Sequence, residues 1–219
     1  MSTDLIHCLL LSGAFLTLFL VGEIMYHRFQ VKVELTRKWS HFGTGILSLL
    51  FPILLSSHWY VLFLCSSFAL LLLTSLRFNF LKSINAIERK SHGSLLYPLA
   101  VYLCFFAFEY KEVQYAYFYI PILTLAISDP LAALVGKRFG KTKYHLWGHE
   151  KSYLGSLAFF LSACCIAAIG IAQMNLEWTS IIMITLLFAL VTTIVEAMSG
   201  NGWDNLTIPL SGLLILLIL

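Results

Sequence analysis

Three acids and a group of lysines stand out in a chain that is otherwise strongly apolar. Asp129 lies inside an apolar run, and Glu196 and Asp204 flank a Gly-Asn-Gly break near the end of the chain. A carboxylate within a membrane segment costs roughly 2.5–3.5 kcal/mol on insertion scales, so it marks a functional site by default. Residues 127–156 then hold five of the fourteen Lys/Arg, namely Lys137, Arg138, Lys141, Lys143 and Lys151, with glycines at Gly136, Gly140, Gly148 and Gly155. Cations next to glycines suit a polyphosphate, because backbone N–H groups can come close while the side chains neutralise its charge. Carboxylates beside them suit a divalent cation, since Mg²⁺ is usually held by one or two carboxylates plus substrate phosphates. The chemistry these types can perform together is phosphoryl transfer, which needs mainly positioning and charge neutralisation.

Spacing sharpens the reading. Asp129, Ala132, Ala133, Gly136 and Gly140 fall on one face of a helix. That face is small apart from its acid, so it fits either a close helix–helix seam or a ligand lying against the backbone. Further upstream, Glu34-x-x-Arg37-Lys38-x-x-His41 places Arg37 and His41 one turn apart. Arg89-Lys90-Ser91-His92-Gly93 precedes Tyr97-Pro98. No Walker A sequence, H-E-x-x-H or G-x-S-x-G occurs, which argues against a P-loop enzyme, a zinc protease and a serine-elbow hydrolase. The five cysteines lie in apolar runs without C-x-x-C spacing and read as packing residues.

The elements that must position these groups are membrane helices. The chain has 219 residues, 59% hydrophobic and only 11% charged, with a mean hydropathy of +0.86. Soluble domains carry about 25% charged residues. The apolar runs are continuous and helix-length, unlike the alternating strands of a β-barrel. The expected fold is therefore an all-α polytopic bundle of about eight transmembrane helices, forming a single domain over residues 1–219. The spans are expected at 5–26, 39–58, 59–76, 94–108, 119–135, 153–173, 178–199 and 205–219, the last only about 22 Å long. No basic segment precedes the first span and no A-x-A site follows it, so it is expected to remain as a span. Glu23 is expected to snorkel to the interface, and residues 77–93 to include an amphipathic surface helix. Four Lys/Arg fall between spans one and two, four between three and four, and five between five and six, with only Lys111 in the other connections. The positive-inside rule then puts the N-terminus outside and those basic loops in the cytoplasm. Glu196, Asp204 and Asn205 reach the same face as Asp129.

With these motifs in order, the chain resembles the CTP-dependent lipid-alcohol kinases: dolichol and polyprenol kinase, phytol and farnesol kinase, and the yeast-type diacylglycerol kinase. The resemblance spans Glu34 to Pro209. It rests on E-x-x-R-K-x-x-H-x-x-x-G from Glu34, R-K-S-H-G from Arg89, and D-P-x-A-A-x-x-G-K-x-x-G-K from Asp129. K-S-x-x-G-S from Lys151 and E-x-x-S-x-x-G-x-D-N-L-x-x-P from Glu196 complete it. It implies a CTP or other NTP donor, Mg²⁺, and a long-chain alcohol phosphorylated at the cytoplasmic face. The acids Asp129, Glu196 and Asp204 are the expected catalytic and metal-binding set. Ala133, Gly136, Gly140, Lys141, Lys151, Ser152, Gly155 and Asn205, bordered by Arg37, Lys38 and His41, are the expected nucleotide set, with Lys141 and Lys151 on the phosphates. The expected partners are the nucleotide, the lipid alcohol and the bilayer, with no nucleic acid; self-association into a homo-oligomer stays open. A phosphatidate cytidylyltransferase has a stretch similar to the motif from Asp129 but ends in a paired D-x-x-D, which is missing here. A non-catalytic transporter using Asp129 for coupling is the reading from a different class.

Overall fold

The computed structural model describes residues 3–86, 91–111 and 114–218; Arg89 and Lys90 of the third motif lie outside them. The body is helical, as the hydropathy requires. In chain order it contains α1 (Thr3–His27), α2 (Val33–Ser48), α3 (Phe51–Leu54), α4 (His58–Phe78), α5 (Lys82–Asn85), α6 (Gly93–Tyr110) and α7 (Ala116–Leu123). A π turn (Thr124–Ser128) then leads into α8 (Asp129–Phe139), strands β1 (Lys143–Leu146) and β2 (His149–Ser152), and helices α9 (Tyr153–Ile171), α10 (Trp178–Met198) and α11 (Asp204–Leu217). Six segments are long and apolar enough to cross a membrane: α1, α4, α6, the continuous run Ala116–Phe139, α9 and α10. The chain is a multi-pass integral membrane protein.

The other two expected spans are shorter. In place of a span at 39–58, α2 starts at Val33, takes in Glu34, Arg37 and Lys38, and ends at Ser48 before the one-turn α3 with Pro52. The last helix has 14 residues. Both of these short elements carry site residues.

Three local features also depart from expectation. The segment after Lys141 is not an open loop but an antiparallel hairpin pairing Lys143 with Ser152 and Leu146 with His149. Its two-residue turn, Trp147-Gly148, has positive φ at both positions, which matches the right-handed twist of paired strands. The stretch after Arg77 forms only the single turn α5 among the described residues, and that turn is tucked inward. Thr36 Oγ1 donates to Ser83 O (2.6 Å), and Ser83 N donates to Glu23 Oε1 (2.8 Å). Glu23 is therefore not a snorkelling residue. It pins α5 to α1 and also meets His27 at 3.1 Å.

The π turn has an identifiable cause. Pro130 lacks an N–H and its ring crowds the carbonyl four residues earlier, so the regular ladder cannot continue through it. Once the ladder widens to five-residue spacing, the natural donor for Leu125 O would be Pro130, which has none to give. His41 Nε2 fills that gap from α2, 2.9 Å from Leu125 O. Tyr97 stacks edge-on against His41 at 4.9 Å and its hydroxyl donates to His41 O at 3.3 Å.

Small residues set the closest contacts. A Cβ on Gly45 would lie 2.3 Å from Ala126 Cβ, so α2 rests directly on the π turn. A Cβ on Gly155 would lie 2.9 Å from Ala132 O and 3.3 Å from Gly136 Cα, so α8 and the start of α9 touch backbone to backbone. The interior is filled by Phe51, Phe105, Phe118, Phe159 and Phe188. Leu9, Leu10, Phe63, Leu70 and Ile169 face outward, as an exposed apolar belt in contact with hydrocarbon must. Gly155→Val should force α8 and α9 apart and cost about 1–3 kcal/mol, read as a lower unfolding midpoint in detergent. Gly13→Ala, where an added Cβ meets nothing within 4 Å, should raise the midpoint slightly because alanine is the better helix former.

Candidate active site

Between α2, α6, α8, the hairpin and the ends of α10 and α11 lies one cavity of about 1040 Å³. Its polar end gathers residues from across the sequence. Arg37, Lys38 and His41 come from α2; Asp129, Ala133 and Gly136 from α8; Lys151, Ser152 and Gly155 from the hairpin exit; Glu196 from α10; and Asp204 and Asn205 from α11. Of the residues expected from sequence, only Gly140 and Lys141 do not line it. Gly140 packs under Ser152, where a Cβ would sit 2.4 Å from Ser152 Oγ. Lys141 is exposed beyond the end of α8.

The small face of α8 forms a seam with α9 and also borders the cavity. Gly136 and Gly155 are opposite each other, and Ser152 sits over both. Ser152 caps α9 by accepting from Gly155 N at 3.1 Å. This seam delivers Lys151, one residue earlier, beside the acids. Ala133 remains on the cavity side.

The charges are not arranged symmetrically. Lys151 Nζ donates to the Glu196 carboxylate and, at 3.0 Å, to Glu196 O at the end of α10. Desolvation alone would lower the Lys151 ammonium. Glu196, Asp129 and Asp204 outweigh it and hold Lys151 above its ordinary value, so it stays charged through neutral pH. Glu196 Oε2 and Lys38 Nζ are both buried without a hydrogen-bond partner. These two charged groups both line the cavity, where a polar ligand could satisfy them. Asp129 meets His41 Nε2 at 3.9 Å and accepts no hydrogen bond among the described residues. Asp204 Oδ1 accepts from Asn205 N at 3.0 Å. The three acids and Lys151 are close enough to interact electrostatically.

The break before α11 is a clamp. Asn205 Nδ2 donates to Gly93 O (2.9 Å), and His92 N donates to Asn201 O (2.9 Å). Arg37 Nη2 donates to Ser91 Oγ (3.1 Å), which ties α2 into the same junction. Gly202 has φ +87°, and a Cβ there would lie 2.2 Å from Gly93 N. His149 from the hairpin lies over Gly200, with no room for a side chain between them.

The arrangement can neutralise a polyphosphate and present carboxylates to it. Among the described residues no three His, Cys, Asp or Glu side chains converge closely enough to hold a metal ion by themselves. A cation at these acids would therefore take part of its coordination from phosphate oxygens, the usual mode for Mg²⁺. Glu196 Oε2, without a hydrogen-bond partner among the described residues, fits that role.

Sequence reasoning overlooked the roof of the cavity. His149 and Glu150 of the hairpin line it beside Lys143, which the charge pattern had already marked, and Lys137 at the end of α8 pairs with Glu34 of α2. The signal for the hairpin was available in the alternation around Trp147-Gly148.

Among proteins of known function, the phytol kinase of Synechocystis sp. is 30% identical over 197 residues, covering 90% of this chain and 84% of that protein. No family model matches the chain, and no solved structure is significantly similar to it. Identity at that level along nearly the whole length accompanies a cavity in which the ordered motifs meet, and the chain belongs to the lipid-alcohol kinase family that includes phytol kinase.

Proposed function

We propose that this protein transfers the terminal phosphate of CTP, or of another nucleoside triphosphate, to the hydroxyl of a long-chain lipid alcohol, with Mg²⁺, at the cytoplasmic face. The observation that carries the reading is the cavity itself. Lys38, Lys151, Asp129, Glu196 and Asp204 line it, and so do apolar side chains such as Phe51, Pro98 and Val101. A phosphorylated nucleotide suits the first set and a lipid the second. The 30% identity to a phytol kinase supports an isoprenoid alcohol as acceptor, ahead of diacylglycerol.

Each group then has a task. Lys38, whose ammonium has no hydrogen-bond partner among the described residues, meets the triphosphate, and charge-assisted contacts of this kind are the strong ones. Arg37 is held by Ser91 at the rim. Of Asp129, Glu196 and Asp204, two would hold Mg²⁺ together with phosphate oxygens and the third would act as base; when bound, the ion neutralises charge developing on the β- and γ-phosphates. Lys151 keeps Glu196 in place. The alcohol oxygen attacks the γ-phosphorus, the bond from that phosphorus to the β,γ-bridging oxygen breaks, and the nucleoside diphosphate leaves with that oxygen. The hydroxyl proton goes to a carboxylate, and Asp129 is the acid with no competing hydrogen bond. His41 fixes the backbone just before it by serving Leu125 O.

Asp129→Asn should abolish phospholipid formation from labelled CTP while the protein keeps its wild-type unfolding midpoint; full turnover in that variant would refute the assignment. In the same assay the wild type should release CDP, whereas a cytidylyltransferase would release pyrophosphate and a transporter neither. Lys38→Met should raise the KM for CTP roughly 10- to 100-fold, the loss of one charged hydrogen bond. It should not lower stability, because it removes a buried unpaired charge. Trp147, at the exposed hairpin tip, tests the side of the membrane. Trp147→Cys should react with an impermeant maleimide in inverted vesicles and be protected in right-side-out ones.

A further inference from the structure

Helices α2 and α8 run in opposite directions beside the site and diverge along their length. At one end Gly45 lies directly on Ala126 of the π turn. One turn further along, His41 Nε2 is 3.9 Å from the Asp129 carboxylate. Beyond that level the two helices share no packed face among the described residues: α2 rests on α1, α5 and the π turn, and α8 on α9 and β2. They come together again where Lys137 pairs with Glu34. Glu34 lies seven residues from His41, and Lys137 eight from Asp129, which leaves an opening about 10 Å tall at 1.5 Å per residue. Lys38 of α2 and Ala133 of α8 border it, and both line the cavity. At its floor Asp129 keeps 22% of its side-chain surface accessible and His41 15%.

Outward of this opening both helices are apolar. Leu35, Trp39, Phe42 and Ile46 recur at helical spacing on α2, Leu131 and Leu134 lie on α8, and all six are exposed. On a membrane-spanning bundle such a surface meets hydrocarbon. The amphipathic α2 therefore shows charge to the cavity and apolar side chains to the bilayer, and the opening joins the two environments. The ion pair across its top is a weak bar. Lys137 and Glu34 are 60% and 59% exposed, and exposed pairs are worth about 0–1 kcal/mol.

We propose that the opening between α2 and α8 is a lateral portal through which the lipid acceptor reaches the acids, its hydroxyl inside at Asp129 and its tail left in the bilayer. The inference rests on the kinase reading and adds the route and posture of the acceptor. A tail that stays in hydrocarbon gives up no apolar burial when the head group enters, so the site needs no internal chamber for it. A nucleoside triphosphate cannot use this path, because its charges would have to cross hydrocarbon. It comes by the polar side, where His149 and residues 200–202 line the cavity.

The test uses the full-length protein in membranes and a phytol analogue with a diazirine in its tail. Irradiation should label the portal rim at Phe42, Ile46 or Leu134, and excess phytol should suppress that label. Label on other helices instead, or rim label that excess phytol leaves unchanged, would overturn the portal. Leu134→Trp narrows the rim without touching the acids. It should raise the KM for phytol roughly tenfold, the scale of one overpacked side chain. The KM for CTP should stay as in the wild type, and so should turnover of prenol, a short alcohol that can arrive from water. Leu161→Trp, on a similarly exposed position of α9, should change none of these. The labelling is read on the wild type, so it decides the matter should Leu134→Trp fail to fold. A wild type that phosphorylates phytol but carries its label elsewhere keeps the kinase reading and loses the portal. One that phosphorylates no lipid alcohol loses both.

Discussion

The contact on which the site depends is the one between α8 and the first turn of α9. Gly136 and Gly155 let two backbones touch, with Asp129 two turns earlier on α8 and Lys151 just ahead of α9. Because α9 begins there, Ser152 can cap it, and Lys151 is set at the edge of the hairpin facing Glu196. In a low-dielectric interior an isolated charge is far costlier than a paired one. The seam therefore does two things: it packs helices, and it supplies the cation that lets Glu196 remain buried. A side chain at either glycine would separate the pair as well as the helices.

A second constraint works on the other side of Asp129. Pro130 interrupts the helix ladder, the π turn absorbs the interruption, and His41 satisfies the carbonyl left over. Gly45 lets α2 approach closely enough for this to happen. Asp129 is therefore held from both directions, by the glycine seam after it and the histidine bond before it. Its own carboxylate is left uncommitted. A group that must exchange a proton or bind a metal with each turnover is best held by its backbone in this way, since a rigid support costs no reorganisation.

Much of this was legible in sequence, for a physical reason. Apolar runs of about twenty residues have one outcome in a membrane, so the six long helices and the outlying acids could be read directly. Helical periodicity also placed Asp129, Ala133 and Gly136 on one face. Periodicity identifies a face but not the neighbour it meets, and so the choice between seam and ligand surface stayed open until Gly155 was seen against Gly136. The same limit hid the Lys151–Glu196 pair, whose members are 45 residues apart. The hairpin was missed because its strands are four residues long and polar, among cations that had been read only for their charge. A phenylalanine lining a cavity, one filling a core and one facing lipid are the same letter in a hydrophobic run. Glu23 was misread for a related reason: an acid near a helix end resembles an interfacial residue unless Ser83 is known to lie across from it.

The final helix matters for the bilayer as well as for the fold. Along α11 nearly every side chain is packed against α6, α7 and α10, and among the described residues there only Leu214 and, just past its end, Ile218 are fully open. Hydrocarbon therefore touches this helix along a narrow strip, and its neighbours set the lipid boundary beside it. Asp204 and Asn205 at its first turn are thereby positioned by protein on nearly all sides, so their placement owes little to the thickness or composition of the surrounding leaflet.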